Sequence, residues 1–330
     1  MADEVIRCIS ANLTPYVASS PGIGKSSVIQ QVSKQGRLKL IDFRLSQCTP
    51  EDLQGFPMRT GNKASFVPFD LFPIEGEEPP EGYDGWLLFL DEMSSASKSV
   101  QAAAYKLILD RQVGSFNLHT NCAIVAAGNK ITDKAVVTQM STALQSRIIH
   151  YELEASIKEW TEWAVGSGID HRVIGFLNYM PNKLMDFRPD HSDKTFPCPR
   201  TWEFVSRLIE GEEVTETAGP RLAGTVGAGA AVEFITFAQE YNRLPKLSDI
   251  VDDPENVDVP REASTKYATI SMLMENHTED NMEHLIKYIA RFDIEMQIVF
   301  CRGVNVRSPK LRANHQAFGT YIMSMLRFLK

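Results

Sequence analysis

Residues 19–26 read Ser19-Ser20-Pro21-Gly22-Ile23-Gly24-Lys25-Ser26. An apolar run, Tyr16-Val17-Ala18, precedes them, and an amphipathic stretch from Ser26 to about Lys34 follows. Strand, glycine-bearing loop and helix in that order make a phosphate cradle, in which backbone N–H groups and a helix N-terminus face a polyphosphate. On this reading Ser19, Ser20, Pro21, Gly22, Ile23, Gly24, Lys25, Ser26 and Ser27 line the nucleotide. Lys25 reaches the β- and γ-phosphates, and the Ser26 hydroxyl sits on Mg²⁺. The usual pattern opens with Gly, where this chain has Ser19. Gly relieves backbone strain at that place, so Ser19 puts the opening geometry of the loop in question.

A second segment answers the first. Trp86-Leu87-Leu88-Phe89-Leu90 is an unbroken apolar run that ends in Asp91-Glu92. Such a run reads as a strand buried on both faces, hence a parallel sheet covered by helices. Acids at its C-terminal end lie where open α/β sheets place their ligands. Asp91 is the candidate to hold Mg²⁺ through water, and Glu92 to orient and polarise the attacking water. The doublet favours hydrolysis over phosphoryl transfer to a substrate hydroxyl. A third strand, Cys122–Ala127, leads into Gly128-Asn129. Asn129 reads equally as an amide that fixes the lytic water and as a turn residue. Leu144-Gln145-Ser146-Arg147 runs into a strand-like segment, so Arg147 lies at a helix end on the rim of the domain. There it either stabilises transition-state charge in a neighbouring subunit or forms a surface salt bridge. Arg200, in Pro197-Cys198-Pro199-Arg200-Thr201-Trp202-Glu203, opens another helix. A cation there opposes the helix dipole, and an anionic ligand would supply a reason for it.

Taken in order, these parts resemble the AAA+ ATPases and, within them, the MoxR-like branch, over about residues 5–260. The resemblance makes Ser19–Ser26 Walker A, Leu87–Glu92 Walker B, Asn129 sensor 1, Arg147 the arginine finger and Arg200 sensor 2. Asp42–Gln47 and Asp52–Pro57 resemble the second strand and the start of the helix-2 insert. Residues 111–121, with Gly114 and Phe116, resemble the hairpin before sensor 1. It implies an αβα sandwich of P-loop NTPase type with a five-stranded parallel sheet, followed by a helical lid. It also implies ATP and Mg²⁺, and a homo-oligomeric, commonly hexameric ring. Members remodel protein partners, often a von Willebrand A or metallopeptidase-like protein, and small members are common in phages and bacteria. The expected domains are 1–153, with an insert at about 49–85 and a hairpin at about 111–121, and 154–330.

Composition narrows the partner. A net charge of −8 weighs against a general nucleic-acid binder, although the chain has no acid after Glu295. Arg302, Arg307, Lys310, Arg312, Arg327 and Lys330 make that end basic, which suits a neighbouring subunit or an acidic partner, or simply a solvated helical end. A nucleic-acid motor or loader of similar fold, and a nucleotide-gated scaffold that hydrolyses weakly, are the alternatives. No apolar run approaches the roughly 18 residues of a membrane span. The acidic Met1–Glu4 lacks the basic start of a secretory signal, so the expected location is the cytoplasm. Five scattered cysteines without a Cys-x-x-Cys read as reduced and mostly buried, with no zinc site. His150 is expected to be packed. The Met272, Met274 and Met282 group is expected to fill core. Gly224-Thr225-Val226-Gly227-Ala228-Gly229 is read as close packing of small residues rather than a dinucleotide fingerprint. The insert contains an expected hairpin at 57–68, and with the acidic run Glu75–Asp84 or the basic tail it is the expected docking face.

Overall fold

The computed structural model describes residues 1–133, 140–190, 193–239 and 244–325. Two compact units divide the chain: Met1–Glu154 with a short stretch from Arg188, and Ala155–Phe187 continued from residue 192.

In the first unit the described elements are α1 (Ala2–Ser10), β1 (Pro15–Ser19), α2 (Lys25–Gln35), β2 (Leu38–Arg44), α3 (Pro50–Gln54), β3 (Phe56–Thr60), β4 (Lys63–Val67) and β5 (Gly85–Asp91). Then follow α4 (Lys98–Asp110), β6 (Gln112–Val113), β7 (Phe116–Asn117), β8 (Cys122–Asn129), α5 (Thr142–Gln145) and β9 (Ile149–Glu152). Five strands form one sheet in the order β2-β5-β8-β1-β9, every pair parallel. The apolar run before Asp91 becomes β5, buried at every position. Its side chains alternate between two cores. Leu88 and Leu90 face α4 with Tyr16, Ile124 and Ala126. Leu87 and Phe89 face the other way, with Val17, Val125 and Ala127, onto Val5 of α1 and Ile29 and Val32 of α2. A sheet covered by helices on both faces, with the phosphate-loop sequence between β1 and α2, is the P-loop NTPase fold. Strand order reverses at β1, whose neighbours are β8 and β9 rather than β2. Open α/β sheets bind ligands at strand C-termini beside such a reversal.

The insert is more structured than its sequence pattern suggests. Thr49 caps α3, and its N–H donates to Asp52 Oδ2 at 2.7 Å. The short helix is missed in the sequence because five residues show no helical period. The expected hairpin forms as β3 and β4, turned by Gly61 at φ 64°. At its root Gly55 has φ 87°, and a Cβ there would stand 2.3 Å from the Val67 carbonyl oxygen. The second hairpin, β6–β7, is stitched to the insert: Glu75 N–H donates to Asn117 O at 3.0 Å.

Every regular element described in the second unit is helical: α6 (Ile157–Gly166), α7 (His171–Tyr179), α8 (Pro199–Leu208), α9 (Gly219–Val226), α10 (Ala228–Gln239), α11 (Leu247–Asp252), α12 (Ala263–Glu275), α13 (Met282–Ile289), α14 (Ile294–Arg307), α15 (Leu311–Asn314) and α16 (Gln316–Met325), with short 3₁₀ turns. Its core centres on Trp202, with Phe176 at 5.3 Å and Phe234 at 5.7 Å between ring centroids. Met274 and Met282 are buried in it and Met272 is partly buried, as core filler. The glycine-rich stretch is not close packing. A Cβ on Gly224 or Gly229 would meet nothing within 4 Å, and Gly227, at φ 85°, turns the chain between α9 and α10. Helix α13 is preceded by Thr278–Asn281, which closes on itself through side-chain turns. Tyr241, Arg327 and Lys330 lie outside the described residues. No helix among the described residues is long and apolar enough to cross a membrane.

Candidate functional site

The site is assembled at the C-terminal ends of β1, β5 and β8. Ser19 is the last residue of β1 and fully buried. Its backbone is not among the left-handed residues, so no glycine is required there and the loop opens without strain. Its hydroxyl has a use. Lys25 Nζ donates to Ser19 Oγ at 2.9 Å, to Ser19 O at 3.3 Å and to Asn129 Oδ1 at 3.1 Å. One ammonium thus joins the loop to the end of β8. Gly22 and Gly24 take the left-handed conformation, at φ 77° and 106°, and Gly24 sits at the N-cap of α2. A Cβ on Gly24 would meet nothing, so the hollow over the loop is open. Left-handed glycines beside a helix N-terminus turn successive N–H groups toward one anion-sized hollow. Ser20 Oγ donates to Asp133 Oδ1 at 3.2 Å. Asp133 is buried, and its other carboxylate oxygen has no donor among the described residues. Ser26 and Ser27 begin α2, Ser26 half-buried and Ser27 exposed.

Asp91 ends β5, buried, and its Oδ1 accepts the Glu92 N–H at 2.8 Å. Glu92 itself has φ 56° and ψ 27°, a left-handed backbone rarely held by a residue with a side chain. Ser46, in the turn after β2, donates its hydroxyl to Glu92 Oε2. Burial, then the neighbouring Asp91, pushes the Asp42 carboxyl above the usual range. Glu92 adds to this and Arg44 opposes it. The donor chemistry fits a phosphate-bound Mg²⁺: one carboxylate, Asp91, and one hydroxyl, Ser26. Mg²⁺ takes one or two carboxylates and leaves its other positions to phosphates and water. No group of three or more His, Cys, Asp or Glu among the described residues could hold a metal by itself.

Asn129 closes β8, and its backbone N–H donates to Ser94 Oγ at 2.8 Å. Arg147 follows α5 and is exposed. Its guanidinium donates to Ala143 O at 2.8 Å and to Ser146 Oγ at 3.2 Å, lies 6.0 Å from the Tyr105 ring centroid, and makes no ion pair among the described residues. Among the described residues the surface salt bridge considered for it has no acidic partner. His150 is exposed rather than enclosed, its ring edge-on to Tyr16 at 5.6 Å. Arg200 is exposed in the first turn of α8, in the second unit, behind Pro199 at the helix start. Lys25, Ser19 and Asn129 are thus brought together, as are Glu92, Asp91 and Ser46. Ser46, Ser94 and Tyr16 carry no motif of their own. Only the strand-2 segment that ends near Ser46 hinted at one of them.

No family model matches the chain, and no curated protein does. Among solved structures, NtrX from Brucella abortus aligns at 14% identity over 98% of this chain and 66% of its own, with a TM-score of 0.41. A point mutant of RuvB from Thermotoga maritima aligns at 12% identity over 98% and 86%, with a TM-score of 0.36. At such values the strand order and the loop carry the fold assignment by themselves.

Proposed function

We propose that the chain binds and hydrolyses ATP as an AAA+ ATPase of MoxR-like type, assembles into a ring and remodels a protein partner. One observation carries this reading: Lys25 spans the phosphate loop and Asn129, while Asp91 and Glu92 end the adjacent buried strand. In this reading Lys25 and the N–H groups at Gly22–Ser26 hold the triphosphate. Ser26 and Asp91 hold Mg²⁺, which when bound neutralises phosphate charge. Glu92, kept in its left-handed turn by Ser46, orients the attacking water, and Asn129 fixes it from the side. Arg147, exposed and without a carboxylate partner among the described residues, completes a neighbouring subunit's site. Arg200 meets an anionic group from the helical region, which serves as the lid. The insert supports a protein partner. Phe56 and Met58 are 60% and 53% exposed, and the same insert carries the acidic run Glu75–Asp84, so it offers both apolar and charged groups to a partner.

Phosphate release from ATP by the wild type, Glu92→Gln and Lys25→Ala tests the reading. Glu92→Gln keeps ATP affinity and turns over roughly 10²–10⁴-fold slower, while Lys25→Ala loses tight binding. Near-normal turnover in Glu92→Gln would remove Glu92 from the mechanism. Strong stimulation by DNA or RNA, with affinity falling steeply in salt, would replace the protein partner with a nucleic acid.

A further inference from the structure

Strand β8 outruns its neighbour. Its pairing with β5 ends at Leu90–Ala126, yet β8 continues to Asn129. On its other side Asn129 stays in register with Ser19 of β1, and the next N–H, from Lys130, goes to Ser19 O at 3.3 Å. The Asn129 N–H therefore points to the side where β5 has already stopped. Ser94 fills that gap. It lies in the 3₁₀ turn Met93–Ser95 directly after Glu92, is 2% exposed, and accepts the Asn129 N–H at 2.8 Å. Beside it, over Gly128, stands the buried Tyr16 of β1. Gly128 leaves room for this pair: a Cβ there would lie 2.3 Å from the Tyr16 hydroxyl and 2.6 Å from Ser94 Oγ.

We propose that Ser94 is a positioning residue for ATP hydrolysis, tying the turn that carries Glu92 to the backbone of Asn129 so that the two side chains keep a fixed separation. The proposal rests on the ATPase reading above. One hydroxyl links the two groups assigned to the attacking water, while Lys25 keeps its two bonds to Ser19 and the loop N–H groups keep their places without it. Ser94 therefore acts on turnover and leaves nucleotide affinity alone. Displacing a positioned group by even an ångström costs up to roughly 10²-fold in rate.

The test compares wild type, Ser94→Ala, Asn129→Ala and the double variant for kcat, KM and ATP affinity. Hydrogen exchange at the Asn129 amide is measured beside them. Ser94→Ala should lower kcat by roughly 10–100-fold with unchanged ATP affinity, and should speed exchange at Asn129. In the Asn129→Ala background, which keeps the amide but lacks the side chain whose distance from Glu92 is being held, the same substitution should cost less kcat than in the wild type. Ser94→Cys keeps the volume, weakens the acceptor and should fall between. An equal loss from Ser94→Ala in both backgrounds, or slow exchange at Asn129 after it, would overturn the proposal. A wild type that binds ATP without hydrolysing it would instead sink the ATPase reading, while the exchange result still decides whether Ser94 holds Asn129.

Discussion

Glu92 shows what a single residue contributes here. Its left-handed backbone costs on the order of 1–3 kcal/mol and persists because the surroundings over-determine it. The Asp91 carboxylate accepts its N–H, and Ser46 holds its carboxylate. Ser46→Ala removes the second tie and should slow turnover about 10–100-fold, the range for one lost hydrogen bond to a charged group, without changing ATP affinity. A matching fall in affinity would show that Ser46 serves the loop instead. A different residue sets an acid limit on stability. Burial holds the His277 imidazole below its ordinary value. Nδ1 faces Met274 O at 2.8 Å and Nε2 faces Ser308 Oγ at 2.8 Å, a pairing that a neutral ring protonated at Nδ1 satisfies. His171 is lowered for the same first reason. A depressed histidine is neutral in the fold, so the unfolded chain takes up protons first. Stability is whole above about pH 6.5 and is lost as pH falls from there through the folded values. The unfolding temperature should fall between about pH 7.5 and about pH 5.5, and His277→Gln should flatten that fall. An equally steep fall in the variant would move the cause elsewhere.

Elements differ in how openly the sequence announced them. The buried run Trp86–Asp91 and the glycines before Lys25 told strand, loop and helix, because burial on both faces and φ above zero leave few residue choices. The hairpin β3–β4 was legible from its Gly61-Asn62 turn. Its seat was not, since nothing in a sequence says that Gly55 must lie against the Val67 carbonyl. Helices α14 and α16 were equally hidden. Buried Met296, Gln297, Phe300, Cys301, Gly303 and Val304 share one side of α14, but Gln297 and Gly303 are not strongly apolar and Val299 and Val306 lie off that side, so no clean stripe appears. Ser94 escaped for a further reason: its partner is a backbone amide some 35 residues away. The seat itself can be tested. Gly55→Ala adds a clash and a strained φ together, and should cost about 1–3 kcal/mol and expose residues 56–67 to protease. Gly61→Ala, with open space around it, brings strain alone, about 1–2 kcal/mol. Equal protease sensitivity in the two variants would mean that the Gly55 contact does not seat the hairpin.

For the whole molecule the decisive question is whether one chain completes its own site. Arg147 is exposed, meets no carboxylate among the described residues, and is tied to Ala143 and Ser146 of its own helix end. If it serves a neighbour, Arg147→Ala binds ATP and fails to hydrolyse it. Mixing it with Glu92→Gln then restores part of the activity, because some interfaces carry an intact Arg147 against an intact Glu92. Mixed assemblies that form and stay inactive would exclude action between subunits. The strand order has a consequence for synthesis as well. β1 pairs only with β8 and β9, both made more than a hundred residues later. At about 5–20 residues per second on the ribosome, its apolar Tyr16-Val17-Ala18 waits roughly 7–27 s for a second neighbour. The strand that leads into the phosphate loop is therefore the first core strand to be translated and the last to gain both of its partners, and over that interval its edge hydrogen-bonding groups and apolar side chains lack their sheet neighbours.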